Sequence, residues 1–119
     1  MARVESFREL VVWQKSMALV SQLYRTTKTW PSDERFGLTM QARRAAVSVP
    51  ANIAEGQGRT GPRELKHHPS IAHGSLAELE TLLLIGQDLG YSSTTDVEPL
   101  FATASDVSRM LRAMITRMP

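Results

Sequence analysis

The chain of 119 residues contains no cysteine. That excludes disulfide staples, thiolate zinc sites and cysteine nucleophiles, and it suits a reducing cytoplasm. Aromatic residues are scarce, with two tryptophans, two tyrosines and three phenylalanines, so no base-reading module can be recognised and sequence specificity toward a nucleic acid must come from shape. Long apolar runs are missing too. The longest, Leu82-Leu83-Leu84-Ile85-Gly86, lies between Glu80 and Asp88 and falls far short of the roughly 20 residues a membrane span needs. The opening residues Met1 to Ser6 carry no apolar signal core, so the expectation is a cytoplasmic protein, neither exported nor membrane-bound.

What is present is helical periodicity and an uneven charge. Net charge is only +2, yet residues 1 to 66 hold eleven Lys/Arg against six Asp/Glu, residues 67 to 108 hold six Asp/Glu and no Lys/Arg, and Arg109, Arg112 and Arg117 close the chain. Two readings follow. Either the basic half is a face for nucleic acid or an acidic partner, or oppositely charged helices attract each other within or between subunits.

The length fits one domain, residues 1 to 119, small enough to gain from self-association. Ser6-Phe7-Arg8-Glu9 fits a capping box that starts a helix over about 7–29. Leu10, Trp13, Met17, Val20, Tyr24 and Thr27 form its stripe at steps of three and four, widened by Val12, Leu19 and Leu23. Trp30-Pro31-Ser32 ends it, and Ser32 or Asp33 caps a second helix over about 33–57. Pro50 lies inside that helix and predicts a bend, because the apolar period resumes in phase at Ile53. Gly56 and Gly58 offer a left-handed stop. A third helix spans 62–89, opened by Pro62, with a break or kink near Pro69. Leu89-Gly90 stops it, and Thr95-Asp96-Val97-Glu98 reads as the capping box of a fourth helix over 95–117, whose heptads are Val97, Leu100, Ala104, Val107, Leu111, Met114 and Met118. The prediction is an all-α, antiparallel up-down-up-down four-helix bundle.

The second helix carries a polar seam beside an apolar one. Gln41, Arg44, Ser48, Asn52 and Glu55 share one side, and Glu78 of the third helix is a candidate to meet them. Arg44 has two readings: it pairs with Glu55 of a neighbouring subunit or with Glu78 or Glu80, or it joins a phosphate-binding surface. Arg35, Arg43, Arg59, Arg63 and Lys66 are the candidate nucleic-acid contacts.

Other motifs weigh less. Gly56-Gln57-Gly58-Arg59-Thr60-Gly61 follows a helix and lacks the lysine and hydroxyl of a P-loop, so it reads as a helix stop and loop. His67, His68 and His73 are one, five and six residues apart, unlike helical metal ligands, and read as solvated surface histidines. Trp13 reads as core and not as a stacking platform, and Met110, Met114 and Met118 as packing. No catalytic set, metal site or cofactor site is expected, so the protein is read as a non-enzyme. A protein-interaction adaptor docking an acidic partner is the alternative to nucleic-acid binding, and a small metal-dependent nuclease or transferase acting through Glu55 or Glu78 ranks behind both.

Phe7…Leu10-Val11-Val12-Trp13-Gln14-Lys15, Phe36-Gly37-Leu38-Thr39, Gln41…Arg43-Arg44-Ala45-Ala46-Val47-Ser48-Val49-Pro50, Asn52-Ile53-Ala54-Glu55-Gly56…Gly58-Arg59 and Ile71-Ala72…Gly74-Ser75…Glu78-Leu79 together resemble one family. It is the four-helix-bundle family encoded in intervening sequences of bacterial 23S ribosomal RNA genes. Its relatives include the accessory variability determinant (Avd) of diversity-generating retroelements. The resemblance implies a ring-like homopentamer without enzymatic activity, whose basic surface engages RNA, DNA or a nucleic-acid-handling partner such as a reverse transcriptase. It also implies a second helix that continues through Pro50. The departure lies at Glu64-Leu65-Lys66-His67-His68-Pro69, where relatives carry Glu-Phe, a basic residue and two bulky apolar residues. His68 and Pro69 replace the latter and imply a frayed or rebuilt early third helix.

Overall fold

A computed structural model describes residues 6–58 and 62–118, with the side chains of 62–65 outside the description. Four α-helices, α1 (Val11–Thr27), α2 (Leu38–Gln57), α3 (Pro62–Asp88) and α4 (Thr94–Arg117), form an all-α bundle with no strand among the described residues. Among those residues α1 packs on α2 and α4, and α3 packs on α2 and α4, so the four helices close a cycle around one core.

Each helix buries residues at alternating steps of four and three: Val12, Ser16, Leu19 and Leu23 from α1, Ala42, Ala46, Val49 and Ile53 from α2, Ala72, Leu76, Leu79 and Leu83 from α3, and Val97, Leu100, Ala104, Val107 and Leu111 from α4. This is the spacing that keeps one seam of a helix facing its neighbours. Each fully buried leucine contributes about 2 kcal/mol of hydrophobic stabilisation. Of the stripe expected on α1, Thr27 is buried and Leu10, Trp13 and Val20 pack partly buried against the core, whereas Met17 and Tyr24 are 43% and 40% exposed; Val12, Leu19 and Leu23, expected to widen the stripe, lie in the core itself. Ser16 hides this pattern in the sequence. Its hydroxyl is satisfied within the helix by the Trp13 carbonyl at 2.8 Å, so a polar residue occupies a fully buried position.

The helix ends differ from expectation where side chains compete for the caps. Ser6 does accept a bond from the Arg8 amide, but it caps only a 3₁₀ turn, Phe7–Glu9; Leu10 is extended and α1 begins at Val11. The turn is held over α1 by the Gln14 side chain bonding the Arg8 carbonyl and by Phe7 set edge-on to Trp13. After α1 the chain makes a second 3₁₀ turn, Ser32–Glu34, so α2 starts at Leu38 and not near 33. Glu34, not Ser32 or Asp33, supplies the cap: one carboxylate oxygen accepts from the Leu38 amide at 3.1 Å and the other from the Tyr91 hydroxyl at 2.9 Å. The fourth helix is capped by Ser93 with Asp96, two residues before the box expected at Thr95, through reciprocal bonds of 3.1 and 3.0 Å.

Both interior prolines expected to disturb helices lie within uninterrupted ones, Pro50 in α2 and Pro69 in α3. The break expected near Pro69 is therefore corrected, since α3 runs through it. Pro69 is buried, and its Cδ is the close neighbour of Gly56. A Cβ on Gly56 would stand 3.0 Å from His68 Cβ and 3.3 Å from Pro69 Cδ. Gly56 is thus a buried approach point between α2 and α3, not a stop, and Gly58 keeps right-handed helical angles. Gly90 does what was expected of it: at φ +79°, a conformation that favours glycine, it lets the Tyr91 amide reach back to the Gly86 carbonyl at 2.8 Å and end α3.

Candidate nucleic-acid interface

The predicted cationic residues do not form one surface. Arg35 and Arg43 lie toward the start of α2, whereas Lys66 follows its end, across a helix of 20 residues that spans roughly 30 Å. Arg59 lies outside the described residues, as does the side chain of Arg63, and Lys66 is exposed.

At the start of α2 the structure gathers a triad. Arg35, Arg43 and Arg44 line one open groove of about 470 Å³ with Tyr24, Met40, Val47 and Ser48. A smaller hollow of about 270 Å³, lined in part by Lys28, Trp30, Arg35, Thr39 and Arg43, adjoins it through the two shared arginines. Neither lining includes a carboxylate. Among the described residues none of the three arginines makes an ion pair. An arginine cluster without counter-charge repels itself, so an anion entering the groove relieves that repulsion.

Each arginine is held differently. The Arg43 guanidinium lies 4.4 Å from the centroid of the Tyr24 ring, and its Nε donates to Thr27 Oγ1 at 3.0 Å. Thr27 is itself anchored, its hydroxyl donating to the Leu23 carbonyl at 2.9 Å. The terminal amino groups of Arg43 make no hydrogen bond among the described residues. Arg35 stacks over Phe36 at 4.8 Å, and Phe36 is 75% exposed. Arg44 is exposed. Of the two adjacent arginines, Arg43 is the one fixed by neighbouring side chains, and Arg44 meets neither Glu78 nor Glu80 among the described residues but edges the groove.

The polar seam exists without Arg44. Asn52 donates through Nδ2 to the Ser48 carbonyl at 2.9 Å and hydroxyl at 3.0 Å, the Ser48 and Ser75 hydroxyls are 2.8 Å apart, and Asn52 Oδ1 is 3.2 Å from His68 Nδ1. With the Asn52 oxygen accepting, His68 must carry its proton on Nδ1. This chain stitches α2 to α3. Gln41, Glu55 and Glu78 are exposed. Of the three histidines only His67 is fully exposed; His68 is half-buried in the seam, and His73 Nε2 lies 3.0 Å from the Ser108 hydroxyl of α4. The surface reading of those two is corrected by their interhelical bonds. No group of three metal-ligating side chains exists among the described residues, and no described helix is long and apolar enough to cross a membrane.

Among the described residues the opposite-charge reading holds between α1 and α4, where Lys15 meets Asp106 at 3.2 Å, and Asp106 also binds Arg109. Trp30 is core, 5% exposed, its indole N–H donating to Ser92 Oγ at 2.7 Å. Sequence reasoning missed Tyr24, Met40 and Val47 as parts of a site. The available signal was an aromatic on α1 and apolar residues on α2 that fall outside the true core period. A comparison with curated protein sequences finds no match. A family model, described as 23S rRNA-intervening sequence protein, matches residues 8–113.

Proposed function

Because the chain belongs to the 23S rRNA-intervening sequence protein family, we propose that it is a non-enzymatic accessory protein that binds structured RNA or DNA electrostatically. The observation that carries this reading is the groove at the start of α2, where Arg35, Arg43 and Arg44 stand together without a carboxylate partner among the described residues. The bundle is read as antiparallel and up-down-up-down, in keeping with the end of α2 meeting the start of α3 at Gly56 and His68, and the first half of α1 meeting the second half of α4 at Lys15 and Asp106. Exposed apolar side chains such as Val11, Met17, Ile71, Leu84 and Ile85 favour burial against further copies, and a ring-like homopentamer is the proposed assembly. Its partners are then the nucleic acid itself or a protein that handles it, such as a reverse transcriptase, in the cytoplasm. Five copies of the groove on one ring would bind a long strand far more tightly than one copy.

The test is affinity for a structured ribosomal RNA fragment, measured from low to physiological salt on nuclease-treated protein of verified mass. Log affinity should fall linearly with log salt, and Arg44→Gln should reduce the slope by roughly 0.7–0.9 for each phosphate that a bound protomer no longer neutralises. Arg112→Ala, on a helix that does not pack against α2 among the described residues, should leave it unchanged. No binding at low salt would turn the proposal toward an adaptor for an acidic protein.

A further inference from the structure

We infer that the groove at the start of α2 receives unpaired nucleotides and not the backbone of a double helix; this rests on the nucleic-acid reading above. A site for duplex backbone needs cations on an accessible surface and nothing apolar between them, because a duplex presents phosphates outward and keeps its bases stacked within. Here the three guanidinia surround Tyr24, Met40 and Val47. Tyr24 and Val47 remain 40% and 43% exposed, so the groove leaves open apolar surface that a base freed from its stack covers and a duplex backbone does not.

The groove volume, about 470 Å³, lies within the range of sites that enclose small organic groups, about 300–1,000 Å³. Arg43 is the link between the two kinds of contact. Its guanidinium carbon rests over Tyr24 and its Nε bonds Thr27, so the side chain is set before a ligand arrives and loses little freedom on binding. Its terminal amino groups are available to a phosphate, and a guanidinium plane or an aromatic ring is what an unstacked base packs upon. The adjoining hollow with Lys28 and Arg35 continues the cationic track, as a strand running past the site requires. Ser48 also lines the groove, but its hydroxyl is held by Ser75 and Asn52. Base identity therefore finds little to read, and the site should accept any sequence.

The experiment uses the full chain in its native assembly and two fluorescent probes, a 12-nucleotide unpaired RNA of mixed sequence and the same strand annealed to its complement, compared by anisotropy at equal salt. The unpaired strand should bind about tenfold tighter than the duplex. Tyr24→Ala should bring the ratio of unpaired to duplex affinity down toward one, whatever it does to either affinity alone, and Tyr24→Phe should keep the ratio; circular dichroism checks that each variant folds. Equal affinity for the two probes, or a preference that survives Tyr24→Ala, overturns the inference and leaves electrostatic nucleic-acid binding standing. Absence of binding to either probe at low salt overturns both.

Discussion

Replacing Gly86 with alanine sets two forces against each other. In a helix, glycine to alanine is worth up to about 1 kcal/mol of stabilisation, because alanine loses less backbone freedom on folding. The new methyl, however, would stand 2.8 Å from Cζ2 and 2.9 Å from Cη2 of Trp30, where carbon atoms prefer about 3.5–4.0 Å. The ring is held in place. It is 5% exposed, tied to Ser92 by its N–H, and packed against Tyr91 with centroids 5.9 Å apart. Overpacking of this kind costs about 1–3 kcal/mol, and two rigid ring atoms in conflict place the cost toward the top of that range. The net expectation is a loss of about 1–2 kcal/mol, or a fall of roughly 4–8 °C in Tm for a chain of this length. Urea unfolding followed by circular dichroism measures it, at one fixed protein concentration, because assembly shifts apparent stability. In a Trp30→Phe background the conflicting ring atoms are gone, and Gly86→Ala should become neutral or favourable. An alanine variant as stable as the parent, or a cycle with no coupling between the two sites, would refute the close approach of Trp30 to α3.

Two further predictions concern hydrogen bonds. Tyr91 donates to the Glu34 carboxylate, and that bond, with lesser help from desolvation and from repulsion by Glu34 and Asp33, holds the phenol above its ordinary pKa. A raised folded pKa means a contribution fully present below the unfolded value of about 10 and lost as pH rises through the folded one. Tyr91→Phe should therefore flatten the alkaline limb of the stability curve. Absorbance titration in a Tyr24→Phe background should find Tyr91 ionising late and Glu34→Gln should bring it down; ionisation at the ordinary value counts against the bond. Asn52→Ala should cost about 1–2 kcal/mol, since it strips a partner from Ser48 and from half-buried His68 together, and a double-mutant cycle with His68→Ala should show coupling, whose absence would mean the seam is not shared.

Departures between sequence and structure have a common origin. Pattern reasoning reads apolarity, and several decisive positions here are polar groups satisfied at short range. Ser16 sits in the core because it bonds its own helix; Glu34 outcompetes Ser32 and Asp33 as a cap because it also holds Tyr91; His68 leaves the surface because Asn52 meets it. At Pro69 the sequence rule is sound in cost, but burial against Gly56 accompanies a helix that stays whole. The candidate site was only partly legible for the same reason. Arg35, Arg43 and Arg44 are visible as charges, yet which of two adjacent arginines is held and which edges a groove depends on where Tyr24 and Thr27 come to rest.

The sequence by itself determined the class of fold, since apolar steps of three and four admit helices and exclude strands, and it determined the family, whose motifs span most of the chain. It also set the supply of charge, basic before residue 67 and acidic after it. Tertiary structure alone decided how that supply is used. It paired Lys15 with Asp106, separated Lys66 from Arg35 by the length of α2, and left three guanidinia without an ion pair among the described residues in a groove that Tyr24, Met40 and Val47 also line. Pairing depends on distances of a few ångströms between residues far apart in the chain, and such distances exist only once the helices have packed.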